Sequence, residues 1–425
     1  MKIVHWKDLD ESFFQYQEME EIDSVRQIID AVKANGDAAI KKYTAQFDGV
    51  ALEQFLVTEA EIKNAYQQMT KEELAAIKSA AENIERFAIK QKESLTDFEF
   101  EIQNGVFAGQ KVIPIERVGV YAPGGSYPLP STVLMCAIPA RVAGVDEIVL
   151  CSPPRHSGTI HPAILVAADI CKIDKIYKIG GVQAIAAMAF GTETIQRVDK
   201  IVGPGNKYVA LAKKMVYGAV GIDFIAGPTE LLIIADEQAN PEFIAADLLG
   251  QAEHDVDAVP ILVTTSLELA HAVNHELQRQ IASLPTADIA QKSLDNNGKI
   301  ILVESLAEAF MIANKKAPEH LELQIQNAEK YINQLRNYGS LFIGPYSAEA
   351  LGDYSSGLNH TLPTNDSARY TGGLSVKDFL KFQTTLRVTE QGLASIGSTA
   401  VALGKMEGLM GHARSIEIRM KKSDC

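Results

Sequence analysis

Lys175-Ile176-Tyr177-Lys178-Ile179, then Gly180-Gly181, then Val182-Gln183-Ala184-Ile185-Ala186-Ala187-Met188-Ala189-Phe190, is the stretch on which the fold turns. A short run with β-branched and aromatic residues passes through two glycines into a run dominated by alanine and other helix formers. That is a strand, a tight turn and a helix. The same grammar recurs at strand candidates 147–151, 200–202, 231–235, 261–264 and 299–303. The helical stretches that follow are 162–171, 208–217, 241–251, 267–282 and 306–316. Short, nearly all-apolar strands between helices predict parallel sheet covered on both faces. The fold class is α/β, doubly wound, with more than one such unit.

Working outward, residues 1 to about 98 read as mainly helical and charged, with Val25, Ile28, Ile29 and Val32 at helical spacing. At Val112-Ile113-Pro114-Ile115 and Val118-Gly119-Val120-Tyr121 the texture changes to short strands, running into Ala122-Pro123-Gly124-Gly125-Ser126. Beyond Phe379 the alternation stops; 389–411 reads as one long helix rich in small residues and 415–420 as a strand. This tail has too little apolar surface for its own core and is expected to lie on the main body or on a second subunit.

The bulk numbers bound the function. With 425 residues, 47% hydrophobic and 22% charged, the chain is globular and too long for one ordinary core. A formal net charge of −14 without a basic run predicts no nucleic-acid partner. No apolar signal region opens the chain and no apolar run reaches membrane-spanning length, so no membrane association is expected. Cys136, Cys151, Cys171 and Cys425 show no CxxC spacing and read as reduced thiols, hence a cytoplasmic protein.

Candidate chemistry collects in a few segments. Asn240-Pro241-Glu242 opens a helix; if that helix runs on to His254, Gln251 and His254 share one face and can reach one divalent metal ion, or simply be solvated. Ala317-Pro318-Glu319-His320 sets a carboxylate and an imidazole on an irregular segment, for two different protons or as a cap beside a surface histidine. Gly352-Asp353-Tyr354-Ser355-Ser356-Gly357 and Asn359-His360 read as a loop, in which Asp353 either makes a local turn or adds a hard oxygen ligand. Gly180-Gly181-Val182-Gln183 and Gly203-Pro204-Gly205-Asn206 are strand-to-helix turns that line a ligand crevice, or glycines serving the turn alone. Cys136 and Cys151 are alternative nucleophiles for a thiol-dependent aldehyde oxidation, though their apolar surroundings read as core. A dinucleotide-binding regulator without turnover is the non-enzymatic alternative.

Together, Tyr121-Ala122-Pro123-Gly124-Gly125, Gly180-Gly181-Val182-Gln183-Ala184, Gly203-Pro204-Gly205-Asn206, Ala226-Gly227-Pro228-Thr229-Glu230, Gln251-Ala252-Glu253-His254, Ala317-Pro318-Glu319-His320-Leu321 and Gly352-Asp353-Tyr354 closely resemble the histidinol dehydrogenase family, in family order across nearly the whole chain. The resemblance implies oxidation of L-histidinol to L-histidine through the aldehyde with two NAD, the last two steps of histidine biosynthesis. It implies one Zn²⁺ per subunit on Gln251, His254, Asp353 and His412, and NAD contacts from Tyr121, Gln183 and Asn206. Substrate contacts would be Thr229, Gln251, His254, His320, Asp353, His360, Glu407 and His412, with Glu319 and His320 catalytic. The family often carries Ser where Thr229 stands; the hydroxyl remains. Implied too is a homodimer with active sites shared between subunits, built from two Rossmann-like domains that lack the full glycine fingerprint. The expected division is a helical extension over 1–22, a first domain over 23–120 and 230–375, an NAD domain over 121–229, and a tail over 376–425 crossing to the partner. The alternative is a related zinc/NAD dehydrogenase of another small polar alcohol, such as a sulfonated diol.

Overall fold

The computed structural model describes residues 1–19, 22–124 and 127–421; Gly125, Ser126 and Cys425, which the sequence analysis names, lie outside the described residues. In chain order, the first elements are β1 (Lys2–His5), α1 (Asp23–Phe47), α2 (Glu59–Gln68), α3 (Lys71–Glu93), β2 (Phe98–Gln103) and β3 (Val106–Pro114). The first strand–helix run comprises β4 (Arg117–Tyr121), α4 (Pro130–Ala143), β5 (Glu147–Ser152), α5 (Pro162–Ile170), β6 (Lys175–Lys178), α6 (Gly181–Phe190), β7 (Lys200–Val202), α7 (Lys207–Val216) and β8 (Gly221–Ile222). A second run follows: β9 (Glu230–Ala235), α8 (Pro241–Ala252), β10 (Val259–Thr264), α9 (Leu267–Ile281), α10 (Ala287–Asn296), β11 (Lys299–Leu302), α11 (Leu306–Lys316), β12 (His320–Gln324), β13 (Ser340–Ile343) and α12 (Glu349–Tyr354). The chain ends in β14 (Leu380–Val388), α13 (Glu390–Met406) and α14 (Met410–Lys421).

Two parallel sheets carry the fold, as the alternation predicts. One has the order β6-β5-β4-β7-β8, the other β1-β11-β10-β9-β12-β13. Every residue of β9 is buried, because helices cover both faces of its sheet. Leu231, Ile233 and α8 pack on one side, and Leu232, Ile234 and α11 on the other. Each such aliphatic side chain contributes about 1.5–3 kcal/mol by leaving water. Asn240 caps α8 by accepting from Glu242 N at 2.9 Å, with Pro241 in the first turn, as read from sequence.

Several expectations are corrected. The segment 1–22 is not a helical extension: Lys2–His5 is a strand that adds to the sheet beside β11. Residues 23–93 do not join the second unit. The apolar faces of α1, α2 and α3 pack on the first: Val25, Ile28, Val32 and Ile40 meet Tyr121 and Ile185, while Ile84 and Ala88 meet α4. The region 415–420 is helical within α14, and 389–411 is two helices broken between Met406 and Met410, where Gly408 takes φ +74°. A third sheet, the antiparallel ribbon β14-β3-β2, was not expected from the sequence. Its signal was the strict alternation Phe98-Glu99-Phe100-Glu101-Ile102. Among the described residues no helix is long and apolar enough to cross a membrane.

Candidate active site

The cluster forms at the start of β12, against the entry to β9 and the ends of α8 and α12. Glu319 and His320 stand where the chain turns from α11 into β12, so the segment read as irregular is the start of a central strand. Ala317, in the left-handed region at φ +50°, ends the helix and turns the chain. His320 is 3% exposed. Its Nδ1 lies 3.0 Å from the Glu230 carbonyl oxygen. A carbonyl can only accept, so Nδ1 carries the proton and the lone pair of the neutral ring sits on Nε2. Nε2 is buried without a hydrogen-bond partner among the described residues. Burial holds the imidazole pKa below its ordinary value, opposed by the Asp353 carboxylate. A buried, unprotonated and unpartnered nitrogen is what a base needs.

Glu319 is also buried. Its Oε2 accepts from Thr229 Oγ1 at 2.6 Å and from Glu230 N at 2.9 Å. Burial pushes this carboxyl well above its ordinary pKa, against the pull of those two donors. Its Oε2 stays 3.6 Å from His320 Nδ1, while His320 Nε2 faces Asp353 and Glu349, so the two side chains serve different sides of the site.

Gln251 closes the last turn of α8, fully buried; Nε2 donates to Thr229 Oγ1 at 2.5 Å, and Oε1 has no partner among the described residues. The helix stops at Ala252, two residues short of His254, so the expected shared helical face does not form. His254 instead stands in the following turn at the rim, exposed on its outer side. Desolvation of its inner side, and then the neighbouring His320, lower its pKa. Asp353 is not in a loop but in α12, 5% exposed. Its Oδ1 lies 3.9 Å from His320 Nε2 and 3.8 Å from His360 Nδ1. Burial and the adjacent Glu349 raise it to about 8, and burial raises Glu349 to about 7.

His320, Glu349 and Asp353 present ligand atoms within 4.8 Å of one another. Two buried carboxyls with raised pKa, an amide oxygen without a donor and imidazole nitrogens fit a divalent cation, which would satisfy all of them together. Glu349 is the residue that sequence reasoning missed. Four positions before Asp353, it shares a helix face with it, a relation hidden by reading the segment as loop. Glu322 and Asp247, behind it, were also missed; burial lifts Glu322 well above its ordinary pKa and Asp247 to about 6.

The structure brings together Thr229, Gln251, His254, Glu319, His320, Asp353 and His360. It does not bring in His412 or Glu407. Both are exposed on the α13–α14 hairpin and make no hydrogen bond or ion pair with the cluster among the described residues. The expected dinucleotide residues lie at the carboxyl edge of the five-stranded sheet. Tyr121 Oη accepts from Gly181 N at 3.1 Å. Gln183 is 1% exposed, and neither its Oε1 nor its Nε2 has a partner among the described residues. A buried amide left wholly unpaired fits a polar ligand there. Asn206 caps α7, accepting from Tyr208 N and Val209 N. Cys136 and Cys151 are fully buried, with thiols pushed up to about 12, which removes the thiol-dependent reading.

Two helix-covered parallel sheets, an unpaired amide at the carboxyl edge of one and a buried carboxylate–imidazole pair make this an α/β protein equipped for acid–base chemistry. The histidinol dehydrogenase family model matches residues 14–420. The chain is 50% identical to histidinol dehydrogenase of Clostridium acetobutylicum over 400 residues, covering 94% of this chain and 92% of that one. To the Geobacillus kaustophilus enzyme it is 49% identical over 401 residues, covering 94% of each. The crystal structure of histidinol dehydrogenase from Elizabethkingia anophelis superposes with a TM-score of 0.93 at 42% identity, covering 98% of this chain and 96% of that one. The chain belongs to the histidinol dehydrogenase family, NAD-dependent oxidoreductases.

Proposed function

We propose that this chain oxidises L-histidinol to L-histidine in two NAD-dependent steps at the cluster around His320, with one zinc ion per subunit, in the cytoplasm. The observation that carries the reading is the tautomer of His320: Nδ1–H is committed to Glu230 O, leaving Nε2 as a buried acceptor beside Asp353. His320 Nε2 takes the alcohol proton, and Glu319 takes a proton from the water that adds to the aldehyde; NAD, when bound, would supply the oxidant by accepting hydride in each of the two oxidations. Thr229 holds Glu319 toward that water. Keeping the aldehyde in one enclosed site prevents its escape.

Gln251, His254 and Asp353 would hold the zinc, which when bound anchors the imidazole and amine of the substrate as a Lewis acid. His412 and Glu407 would come from the partner subunit. In support, the hairpin that carries them exposes Leu403, Met406, Leu409 and Met410 at 45–80%, an apolar surface a second chain would cover. Tyr121, Gln183 and Asn206 would contact NAD. The test is purified protein with histidinol, NADH followed by absorbance and metal by elemental analysis. Two NADH per histidinol and about one zinc per chain are expected, with zinc lost in His254→Asn while the fold is kept. One NADH per histidinol, or full turnover in metal-free protein, refutes it.

A further inference from the structure

We propose that the buried ion pair Lys213–Asp223 is a positioning device for the turn between β7 and α7, setting the affinity for NAD; this rests on reading Tyr121, Gln183 and Asn206 as dinucleotide contacts. The side chains of Lys213 and Asp223 are 2% and 1% exposed and are paired with each other. Both also grip one residue. Lys213 Nζ donates to Gly203 O at 2.9 Å, and Asp223 Oδ2 accepts from Gly203 N at 2.8 Å.

Gly203 lies one residue past the end of β7, where sheet pairing has ceased and α7 has not begun, so no ladder partner serves its amide or carbonyl. Its φ is +113°, and a Cβ there would stand 2.1 Å from Tyr121 O. The turn therefore crosses directly over the end of β4, and side-chain charges do the work of a ladder. Asp223 Oδ1 also accepts from the amide of its own chain neighbour, Phe224 N, at 2.7 Å, which fixes the orientation of the carboxylate.

Burying two charges is costly, and a well-packed neutral pair would often be as stable. What a neutral pair lacks is a donor and an acceptor at fixed positions around Gly203. The ion pair holds the turn three residues from Asn206 and against Tyr121, so that NAD meets a formed site rather than one it must order itself.

The experiment uses the full chain carrying Lys213→Met and Asp223→Asn together. This double variant removes both charges, keeps an oxygen for Gly203 N and loses the donor to Gly203 O. NAD binding is titrated without histidinol, alongside melting temperature, zinc content and histidinol binding. Loss of one well-placed donor, and of the charge that fixes the remaining acceptor, predicts a Kd for NAD about tenfold higher, with kcat at saturating NAD preserved. Zinc, histidinol binding and melting temperature stay near wild type. Lys213→Gln with Asp223→Asn restores a donor and is expected to recover most of the affinity. Should the first variant not fold, Lys213→Arg, which keeps the pair charged while displacing the donor from Gly203 O, carries the same expectation at about threefold. NAD affinity within the error of wild type in a folded variant overturns the proposal. Gln183→Leu separates the two readings: if it too leaves NAD binding unchanged, the dinucleotide site itself is misplaced.

Discussion

The Thr229 hydroxyl donates to Glu319 Oε2 at 2.6 Å, and Thr229 Oγ1 itself accepts from Gln251 Nε2 at 2.5 Å. One hydroxyl thus joins the proposed water-activating carboxylate to the proposed metal-binding amide. Thr229→Val keeps the shape but leaves both neighbours buried with one partner fewer, a loss of about 1–3 kcal/mol. Oxidation of the aldehyde is expected to fall roughly 5–150-fold, with zinc binding weakened, while Thr229→Ser stays within about threefold of wild type. Equal activity of the Val and Ser variants would show that the hydroxyl carries nothing.

Glu319 and His320 are separable by half-reaction. Glu319→Gln cannot accept a proton and is expected to reduce oxidation of histidinal by about 10²–10⁴-fold, with a much smaller effect on histidinol oxidation. His320→Asn is expected to damage the alcohol step on the same scale. Single-turnover measurements starting from alcohol and from aldehyde distinguish them; a uniform loss in Glu319→Gln contradicts its assigned role.

His412 sits outside the cluster in its own chain, so subunit mixing tests whether the partner subunit supplies it. His254→Asn and His412→Asn homodimers are each expected to be inactive. After random exchange, half the dimers are mixed and each has one site free of either lesion, so roughly a quarter of wild-type activity returns. No recovery after verified exchange places His412 in its own chain's site or in none.

Asp48 tests burial of a carboxyl outside the His320 cluster. Its Oδ2 is buried without a hydrogen-bond partner among the described residues, and desolvation raises the carboxyl from 3.8 to about 6. The folded state therefore holds this proton more tightly than the unfolded chain, and stability falls as pH rises between those values. Asp48→Asn abolishes the cost of the charge. At pH 4 the variant and wild type are expected to melt alike; at pH 7.5 the variant gains about 1 kcal/mol, a figure reduced for the partly solvated side chain. The same difference at both pH values would mean the charge is not responsible.

The parallel sheets were legible because strand and helix periodicities are local, and so was the Asn240 cap, whose partner lies two residues away. The short helix over Glu349–Tyr354 was not. Six residues are too few to show a period, and its buried carboxylates are held by packing against β12 and α8 rather than by propensity. The unpaired amide of Gln183 was visible as a motif but not as an unsatisfied group, since satisfaction is a property of surroundings.

By itself the sequence determined the α/β class, the order of strand and helix, and, through motifs in family order, the family. These depend on residues near one another in the chain. Only the tertiary structure decided that β1 closes the edge of the second sheet beside β11, and that α1–α3 cover the first. Only it decided that Thr229, Gln251, Glu319, His320, Asp353 and His360 meet, while His412 and Glu407 do not. The reason is physical: backbone pairing and burial choose among the edges and faces open to an amphipathic segment, and that choice compares the whole core.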